Sequence, residues 1–374
     1  MSAADPFADP LAPLRPYVRN HLPAVSASWV AGVLGDHPSL YSRSPAMWNA
    51  ALAALNLPAA YVPFDVEPDR VEAFLDSCRR VPGLLGLSVT VPYKERVLRA
   101  LDALDPDAEA VGAVNTVIRT PDGHLRGGNT DSPAAVHILS GLLAGPAATD
   151  SGARPPGLSS QHAPRILVLG AGGAARAVGV GAARGFPGAE ILLCARRRAQ
   201  GEEAATAVRR AGGQAAVIDP AALEEVLPDA SVVVNASPVG MVGPLITPDG
   251  VTWLEPYSAL APAAPPVLPG DPGAAPPATW WEQAWPGIAR NLEISLRRAL
   301  QLRRGAAVLD LVYAPPETVL LKHARWTGHT AVNGLGVLVT QAVEAFLRLC
   351  GPILETEPTR ARPRVEHAMT GALG

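Results

Sequence analysis

Cysteine is scarce in this chain, and its cysteines are not grouped. Cys78, Cys194 and Cys350 lie far apart among 374 residues, and no C-x-x-C pair occurs. Zinc sites and disulfide frameworks depend on clustered cysteines, so the sequence predicts neither. We therefore expect a protein of the reducing cytoplasm.

An excess of basic residues is also missing. Lys and Arg together number 31 against 34 Asp and Glu, a formal net charge of −3. Binding to a phosphate backbone needs a basic surface, so nucleic acid is not an expected partner. No group of His, Asp or Glu has the spacing of metal ligands, and the sequence predicts no metal site.

Long apolar runs are absent as well. Pro, Gly or a charged residue interrupts every stretch before it reaches the roughly 18 to 20 apolar residues of a membrane span. The N-terminus carries Asp5 and Asp9 and lacks the basic and apolar regions of a signal peptide. We expect no membrane contact.

What the chain does have is enough apolar sequence for two domains, since 48% of its residues are hydrophobic. Its 35 glycines and 39 prolines indicate many turns, and they also allow glycine patterns to arise by chance. The predicted organisation is an N-terminal extension (1–28), a first domain (29–143) completed by a C-terminal helix (334–350), a linker (144–164), a second domain (165–333) with an insertion (244–287), and a flexible tail (351–374).

Strand-like and helical segments alternate in both domains. In the first, strands are expected at 30–34, 61–66, 85–91 and 114–119, and helices at 46–57, 68–80, 94–104 and 133–143. In the second, strands are expected at 165–169, 190–195, 231–235 and 306–312, and helices at 174–185, 200–211 and 291–304. A further helix is expected at 334–349, where the chain returns to the first domain. Parallel neighbours need a crossover connection, so this alternation predicts an α/β fold with parallel sheets.

The insertion is crowded with Pro, Ala and Gly, yet it holds four of the seven tryptophans. Disordered segments seldom contain so many aromatic residues. We expect Trp280, Trp281 and Trp285 to pack back onto the second domain or onto a second subunit.

A glycine turn opens the second domain. Gly170-Ala171-Gly172-Gly173-Ala174 follows an apolar strand and begins a helix, which is the context of a dinucleotide-binding turn. The next strand ends in Arg196 and Arg197 and not in the acidic residue typical of NAD sites. Guanidinium groups suit a 2′-phosphate, so NADP is favoured over NAD, the alternative being a solvated basic helix start.

Four polar residues of the first domain lack a clear local role. Lys94 lies beyond the carboxyl end of a strand and at a predicted helix start, where the helix dipole disfavours a cation. Asp131 precedes Ser132 and Pro133, which already form a preferred cap and first turn. Ser44 can cap a helix whereas Ser42 has no such duty, and Asn115 would need a buried partner or a ligand.

The motifs are collinear, and together they resemble the shikimate dehydrogenase family over about residues 29–350. The motifs are Ser42-Arg43-Ser44-Pro45, Val89-Thr90-Val91-Pro92-Tyr93-Lys94, Gly112-Ala113-Val114-Asn115-Thr116, Asn129-Thr130-Asp131, the glycine turn, Asn235-Ala236-Ser237-Pro238-Val239-Gly240-Met241, Asp310-Leu311-Val312-Tyr313-Ala314-Pro315 and Gly336-Val337-Leu338-Val339-Thr340-Gln341-Ala342.

The resemblance implies an α/β substrate-binding domain followed by a Rossmann-like NADP-binding domain. It implies NADP-dependent interconversion of 3-dehydroshikimate and shikimate, in the biosynthesis of chorismate and the aromatic amino acids, by a monomer or homodimer. Lys94 and Asp131 match the catalytic pair of the family. The implied substrate contacts are Ser42, Ser44, Thr90, Asn115, Tyr313 and Gln341. The implied cofactor contacts are Gly170, Ala171, Gly172, Gly173, Ala174, Arg196, Arg197, Asn235, Ser237, Met241 and Gly334.

The chain departs from the family pattern at several positions. Ser88 stands where the family commonly has Asn, Trp48 where it commonly has His, and Ala195 and Arg197 replace an Asn and a Thr of the cofactor stretch. NAD use therefore stays open beside NADP. Two alternatives remain: a quinate/shikimate dehydrogenase that prefers NAD, and a non-catalytic relative that binds the ligand as a sensor. The presence of both Lys94 and Asp131 argues against the sensor.

Overall fold

The structure, a computed structural model, describes residues 10–144, 163–247, 249–269 and 275–373. It divides into two compact units, Met1–Asp131 with Leu338–Gly374, and Ser132–Val337. The strands are β1 (Trp29–Gly35), β2 (Ala59–Asp65), β3 (Leu84–Val89), β4 (Ala103–Leu104), β5 (Thr116–Arg119), β6 (Leu125–Gly128), β7 (Arg165–Leu169), β8 (Glu190–Cys194), β9 (Gln214–Ile218), β10 (Val232–Asn235), β11 (Pro244–Thr247), β12 (Gly250–Trp253), β13 (Ala307–Asp310) and β14 (Thr330–Asn333).

Helices separate most of these strands, as an α/β fold requires. The α-helices are α1 (Pro38–Tyr41), α2 (Ser44–Ala54), α3 (Val71–Arg79), α4 (Pro106–Val111), α5 (Asp131–Ala144), α6 (Gly173–Gly185), α7 (Arg198–Arg210), α8 (Leu223–Val226), α9 (Ala278–Gln301), α10 (Val319–Trp326), α11 (Leu335–Cys350) and α12 (Pro358–Gly371).

The sheet of the first unit is mixed, with strand order β2-β1-β3-β5-β6-β4. Strands β1, β2 and β3 are parallel, but β5 is antiparallel to both β3 and β6. The prediction of a fully parallel sheet is therefore wrong for this unit. The reason is local: the turn at Pro121-Asp122-Gly123 joins β5 and β6 as a hairpin, and Gly123 there has a φ of 88°.

Both faces of this sheet are covered. Along β1, Val30 and Leu34 belong to one apolar cluster with Phe64 and Phe74, while Ala31 and Val33 belong to a second with Trp48 and Phe346. Alternate residues of a strand point to opposite faces, so the two clusters lie on opposite sides of the sheet.

The two ends of the chain contribute to these cores. Leu11, Leu14 and Leu22 of the predicted N-terminal extension are buried in the first cluster, and the Arg19 amide donates to the carbonyl of Asp65 on β2. The flexible tail predicted at 351–374 is wrong, because α12 buries Val365 and Met369 in the second cluster. Apolar residues at helical spacing give this polar segment a buried face.

The second unit has a parallel sheet of order β14-β13-β10-β7-β8-β9. In chain order, this is the strand order of the dinucleotide-binding α/β fold. Strand order reverses between β7 and β10, and the turn after β7 begins at Gly170. The strands β9 and β14 were not predicted, and both are short edge strands that are only partly buried.

Helix α5 belongs to the second unit from Ser132 onward, although the sequence assigned it to the first domain. The physical reason is close packing on α6: added Cβ atoms would lie 2.7 Å from the Ser132 carbonyl oxygen at Gly181 and 2.7 Å from a methyl of Val136 at Gly185. Of the linker predicted at 144–164, residues 145–162 lie outside the described residues.

The insertion forms its own small core. Hairpin β11–β12 and the first half of α9 enclose Trp253, Tyr257 and Trp280, with the Trp253 and Trp280 rings 5.6 Å apart. Helix α9 begins within the predicted insertion and continues through Pro286. Trp280 is buried as expected, whereas Trp281 is 42% exposed and Trp285 is 63% exposed. For these two residues, packing onto a second subunit stays a prediction.

One helical stretch, Leu335–Ile353, is long and apolar enough to cross a membrane by length and composition alone, with a mean hydropathy of 1.3. The sequence had suggested none. Half of this stretch is buried inside the protein, and Phe346 and Leu349 lie in the second core cluster. Such burial is typical of a core helix.

Candidate functional site

The first cluster of functional residues forms around the end of β3 and the start of α5. Lys94 lies in a turn and not in the predicted helix 94–104, since only the short 3-10 helix Arg96–Ala100 follows. The Val114 amide donates to the Lys94 carbonyl at 2.7 Å and fixes this turn. Lys94 is therefore not placed against a helix dipole, which removes the misfit that the sequence suggested.

Lys94 and Asp131 form an ion pair. The Lys94 Nζ donates to the Asp131 Oδ2 at 2.7 Å, and the two side chains are 28% and 19% exposed. Asp131 is the first residue of α5, where the helix dipole stabilises a carboxylate. The pair is thus held by the protein on one side and remains accessible on the other.

Asn115 organises the cluster. Its Nδ2 donates to the Asp131 Oδ1 and the Thr130 Oγ1, both at 2.9 Å, and lies 3.4 Å from the Gln341 Oε1. Its Oδ1 accepts from the Thr130 amide at 2.8 Å and from the Thr116 hydroxyl at 3.0 Å. The buried partner that the sequence required for Asn115 is therefore this group of side chains. Thr116 and Thr130 themselves were not predicted as site residues.

The other predicted substrate contacts are Ser42, Ser44, Thr90 and Tyr313. The N-cap of α2 is Arg43, so Ser44 is the first residue of the helix and not the cap that the sequence suggested. The Ser42 Oγ accepts from the Ser44 amide at 3.2 Å. Thr90 is half-buried after β3 and donates its amide to the Leu34 carbonyl at 2.9 Å. Tyr313 lies in the second unit, in the chain that follows β13, and is half-buried.

Two of the unusual residues surround Tyr61. The Trp48 ring stacks on the Tyr61 ring with centroids 4.4 Å apart. Burial raises the pKa of the Tyr61 phenol well above its ordinary value, and the hydroxyls of Ser88 and Ser44 act in the opposite direction. Ser88 and Trp48, two departures from the family pattern, therefore both neighbour the buried phenol of Tyr61. Ser44, a predicted substrate contact, lies beside the same phenol.

The second unit carries the glycine turn. Gly170 has a φ of 121°, and a Cβ there would lie 3.2 Å from the Ala236 carbonyl oxygen. Gly172 is the N-cap of α6, makes no side-chain cap, and has nothing within 4 Å of an added Cβ. The amides of Gly173 and Ala174 in the first turn are thus open to an anion, as pyrophosphate binding requires.

Arg196 and Arg197 follow β8 at the carboxyl edge of the same sheet, and both are exposed. Arg197 donates to the Gln200 Oε1 at 2.9 Å as α7 begins. The sequence has no acidic residue at this point, and the guanidinium groups are accessible to a phosphate. The residues present therefore fit a 2′-phosphorylated dinucleotide.

Asn235 and Ser237 use their side chains inside the protein. The Asn235 Oδ1 accepts from the Ser237 hydroxyl at 2.7 Å, and its Nδ2 donates to the Val239 carbonyl at 3.0 Å and to the Asp310 Oδ1 at 2.8 Å. Met241 ends this loop. The predicted contact with the cofactor would therefore fall to the backbone of the loop and not to the Asn235 carboxamide.

Gly334 is required by close packing. A Cβ there would lie 2.0 Å from the Leu311 carbonyl oxygen, so no other residue fits between β14 and the chain after β13. Asp310, which ends β13, was not assigned a role from the sequence. The only signal was its polar type at the end of an otherwise apolar strand.

A compositional signal for Lys94 was also missed. Lysine accounts for only two of the 31 Lys and Arg residues, Lys94 and Lys322. Nearly all other basic residues are arginine, so the lysine beside Asp131 indicates a need for an ammonium group. An ammonium group can exchange a proton, whereas a guanidinium group stays protonated. No metal-binding cluster of His, Cys, Asp or Glu occurs in the part of the chain that the structure describes.

Comparison with known proteins supports the same family. A family model described as the shikimate dehydrogenase substrate binding domain matches residues 33–117. The shikimate dehydrogenase (NADP(+)) of Methylobacterium radiotolerans is 36% identical over 331 residues, which is 88% of this chain and 91% of that protein.

Solved structures agree. The shikimate 5-dehydrogenase of Thermus thermophilus, in complex with NADP(H) and shikimate, has a TM-score of 0.61 at 28% identity, and the match covers 92% of this chain and 99% of that one. The quinate dehydrogenase of Corynebacterium glutamicum, in complex with NAD, has a TM-score of 0.64 at 26% identity, and the match covers 90% and 98%. Identity of this extent along nearly the whole chain, together with the paired Lys94 and Asp131, means that the chain belongs to the shikimate dehydrogenase family.

Proposed function

We propose that this protein is an NADP-dependent shikimate dehydrogenase that interconverts 3-dehydroshikimate and shikimate in the biosynthesis of chorismate and the aromatic amino acids. The observation that carries the proposal is the 2.7 Å contact between Lys94 and Asp131, organised by Asn115 and left accessible to a ligand. A protein that only binds a ligand has no need of such a proton-transfer pair.

The reaction needs a hydride and a proton. NADPH, when bound, supplies the hydride to the ketone carbon of 3-dehydroshikimate. In this proposal the Lys94 ammonium donates the proton to the oxygen that develops negative charge, and in the reverse direction the pair accepts the proton of the shikimate hydroxyl.

The other residues hold the reacting groups. Asn115 fixes the Asp131 carboxylate by its 2.9 Å hydrogen bond, and Asp131 in turn fixes the Lys94 ammonium. We assign Ser42, Ser44, Thr90, Asn115 and Gln341 to substrate binding as hydroxyl and amide groups of the first unit. They match a polyhydroxylated carboxylate, which offers hydrogen-bond partners on every side.

The cofactor belongs to the second unit. The pyrophosphate would bind the N-terminal amides of α6, and Arg196 and Arg197 would hold the 2′-phosphate that distinguishes NADP from NAD. The expected partners are therefore small molecules, with no nucleic acid or membrane. Cys78, Cys194 and Cys350 are free and buried, as in proteins of a reducing compartment, and we place the enzyme in the cytoplasm as a monomer or homodimer.

The test is the absorbance of reduced nicotinamide when the protein is mixed with shikimate or quinate and with NADP⁺ or NAD⁺. We expect the fastest turnover with shikimate and NADP⁺. Faster turnover of quinate with NAD⁺ would assign the chain to the quinate branch. Binding of shikimate without turnover by any of the four combinations would overturn the enzymatic proposal.

A further inference from the structure

A second polar cluster lies at the carboxyl edge of the parallel sheet. Asn235 ends β10 and Asp310 ends β13, and the two residues are direct partners in the parallel register. Both are fully buried. Ligands of open α/β sheets bind at this edge, so a buried carboxylate here is unusual and calls for an explanation.

Three donors converge on the Asp310 carboxylate. The Asn235 Nδ2 donates to Oδ1 at 2.8 Å, the Val312 amide donates to Oδ1 at 3.0 Å, and the Thr318 hydroxyl donates to Oδ2 at 2.6 Å. Thr318 is also the N-cap of α10. All three are donors to an acceptor, which is the arrangement that suits an ionised carboxylate.

These bonds join two loops. On the β10 side, Asn235 holds Ser237 and Val239, and the neighbouring Ala236 carbonyl lies against Gly170 of the glycine turn. On the β13 side, residues 311–318 run from β13 to the N-cap of α10, and the Val312 carbonyl accepts from the Gly334 amide at 3.3 Å. Three of the positions assigned to the cofactor, Asn235, Ser237 and Gly334, are thus linked to this one carboxylate through the two loops.

We propose that Asp310 is a positioning residue for the dinucleotide site, and that its ionised carboxylate holds loops 236–241 and 311–318 in the arrangement that binds the cofactor. This inference rests on the proposed NADP-dependent function. Asp310 itself is too deeply buried to contact the cofactor and acts through the two loops.

The ionised form is maintained at a cost to stability. Burial raises the pKa of Asp310 to about 6, and the groups that oppose burial are Thr318, the Val312 amide and Asn235, none of them charged. The nearby Glu317 and Arg325 pair with each other at the surface. Because the folded pKa lies above the unfolded value of 3.8, the contribution of Asp310 to stability is full at low pH and is lost as pH rises through about 6.

Affinity and stability should therefore change in opposite directions. The Asn side chain is neutral and has a single carbonyl oxygen, like a protonated carboxyl group. Asp310→Asn therefore mimics the protonated state at every pH. The experiment measures the Kd of NADP⁺ for the wild-type protein and for Asp310→Asn at pH 5 and pH 8 by calorimetry, with thermal unfolding in the same buffers. The 2′-phosphate also titrates in this range, but its effect cancels in the ratio of the two Kd values.

We expect a ratio within about two-fold at pH 5 and a roughly 10-fold weaker affinity of the variant at pH 8, as loss of charged hydrogen bonds predicts. The Tm of the variant at pH 8 should equal or exceed that of the wild type. Asp249→Asn, the same change at an exposed residue of the same unit, should alter neither quantity. A ratio that is equal at both pH values, or affinity and Tm that fall together, would show a merely structural role.

Thr318→Val provides a second variant. It removes one donor that stabilises the charge, so the pH at which the NADP⁺ affinity changes should move upward, whereas an unchanged midpoint would overturn the inference. If the wild-type protein binds no NADP⁺ at any pH, both this inference and the proposed function fail. If it binds NADP⁺ normally and the Kd ratio is flat, only this inference fails.

Discussion

The two units contain similar polar clusters that differ in access to solvent. In the first unit, Asn115 donates to Asp131 beside a threonine and a lysine. In the second, Asn235 donates to Asp310 beside a threonine, and none of the groups found to act on that carboxylate among the described residues is a cation. Asp131 keeps 19% of its side chain exposed, whereas Asp310 is fully buried. Under the two proposals, the same residue types serve proton transfer where a ligand can reach them and loop positioning where it cannot.

The largest expected effect comes from removing the cation of the accessible cluster. Lys94→Ala should lower kcat by roughly 10²-fold or more and change the KM for shikimate only a few-fold, because a proton-transfer group acts mainly in the transition state. Steady-state kinetics with NADP⁺ measures both. Lys322→Ala, at the only other lysine and exposed, is the matched control and should retain wild-type kinetics. A near-normal kcat in Lys94→Ala would remove Lys94 from the mechanism.

The same substitution in both clusters sharpens the comparison. Asp131→Asn should lower kcat by about 30- to 100-fold at saturating cofactor, because the amide no longer holds the charge of Lys94. Asp310→Asn should leave kcat at saturating cofactor within about three-fold, since binding energy lost before the reaction appears in KM. Equal losses of kcat in the two variants would contradict the distinction between a carboxylate that acts in the reaction and one that acts in cofactor binding.

Removing the amide of the buried cluster should affect stability. Asn235→Ala removes one of the three donors to the Asp310 carboxylate and the acceptor of the Ser237 hydroxyl, and we expect a loss of about 1–3 kcal/mol in the free energy of unfolding. Because an ionised carboxylate suffers more from a missing donor, the loss should be greater at pH 8 than at pH 5. Denaturant titration at both pH values measures it, and a loss that is larger at pH 5 would contradict the assigned charge.

The smallest effect concerns cofactor choice. Arg196→Ala combined with Arg197→Ala should raise the KM for NADP⁺ by about 10-fold and leave the kinetics with NAD⁺ nearly unchanged, because only the 2′-phosphate needs these guanidinium groups. Arg210→Ala, at the far end of α7, is the control for loss of surface charge. An equal loss with both cofactors would place the 2′-phosphate elsewhere.

Strong periodic segments were predicted well. The strands that lie in the middle of the sheets, such as β7 and β10, are continuous apolar runs, and their burial makes the pattern unambiguous. The edge strands β9 and β14 escaped prediction because partly buried strands lack that pattern. The tail was predicted to be flexible because α12 is polar on most of its surface. Its few apolar residues are recognised as a buried face only once the helix is seen to pack.

The sequence by itself determined the family motifs, the glycine turn and the residue types of the proposed catalytic pair, because those depend on local chemistry and spacing. Only the tertiary structure decided that Asn115 joins Asp131 to Gln341, residues more than 200 positions apart. It also decided that Asp310 is buried among three donors. Distances across a sheet edge depend on strand order and register, and neither is encoded in any single segment of the chain.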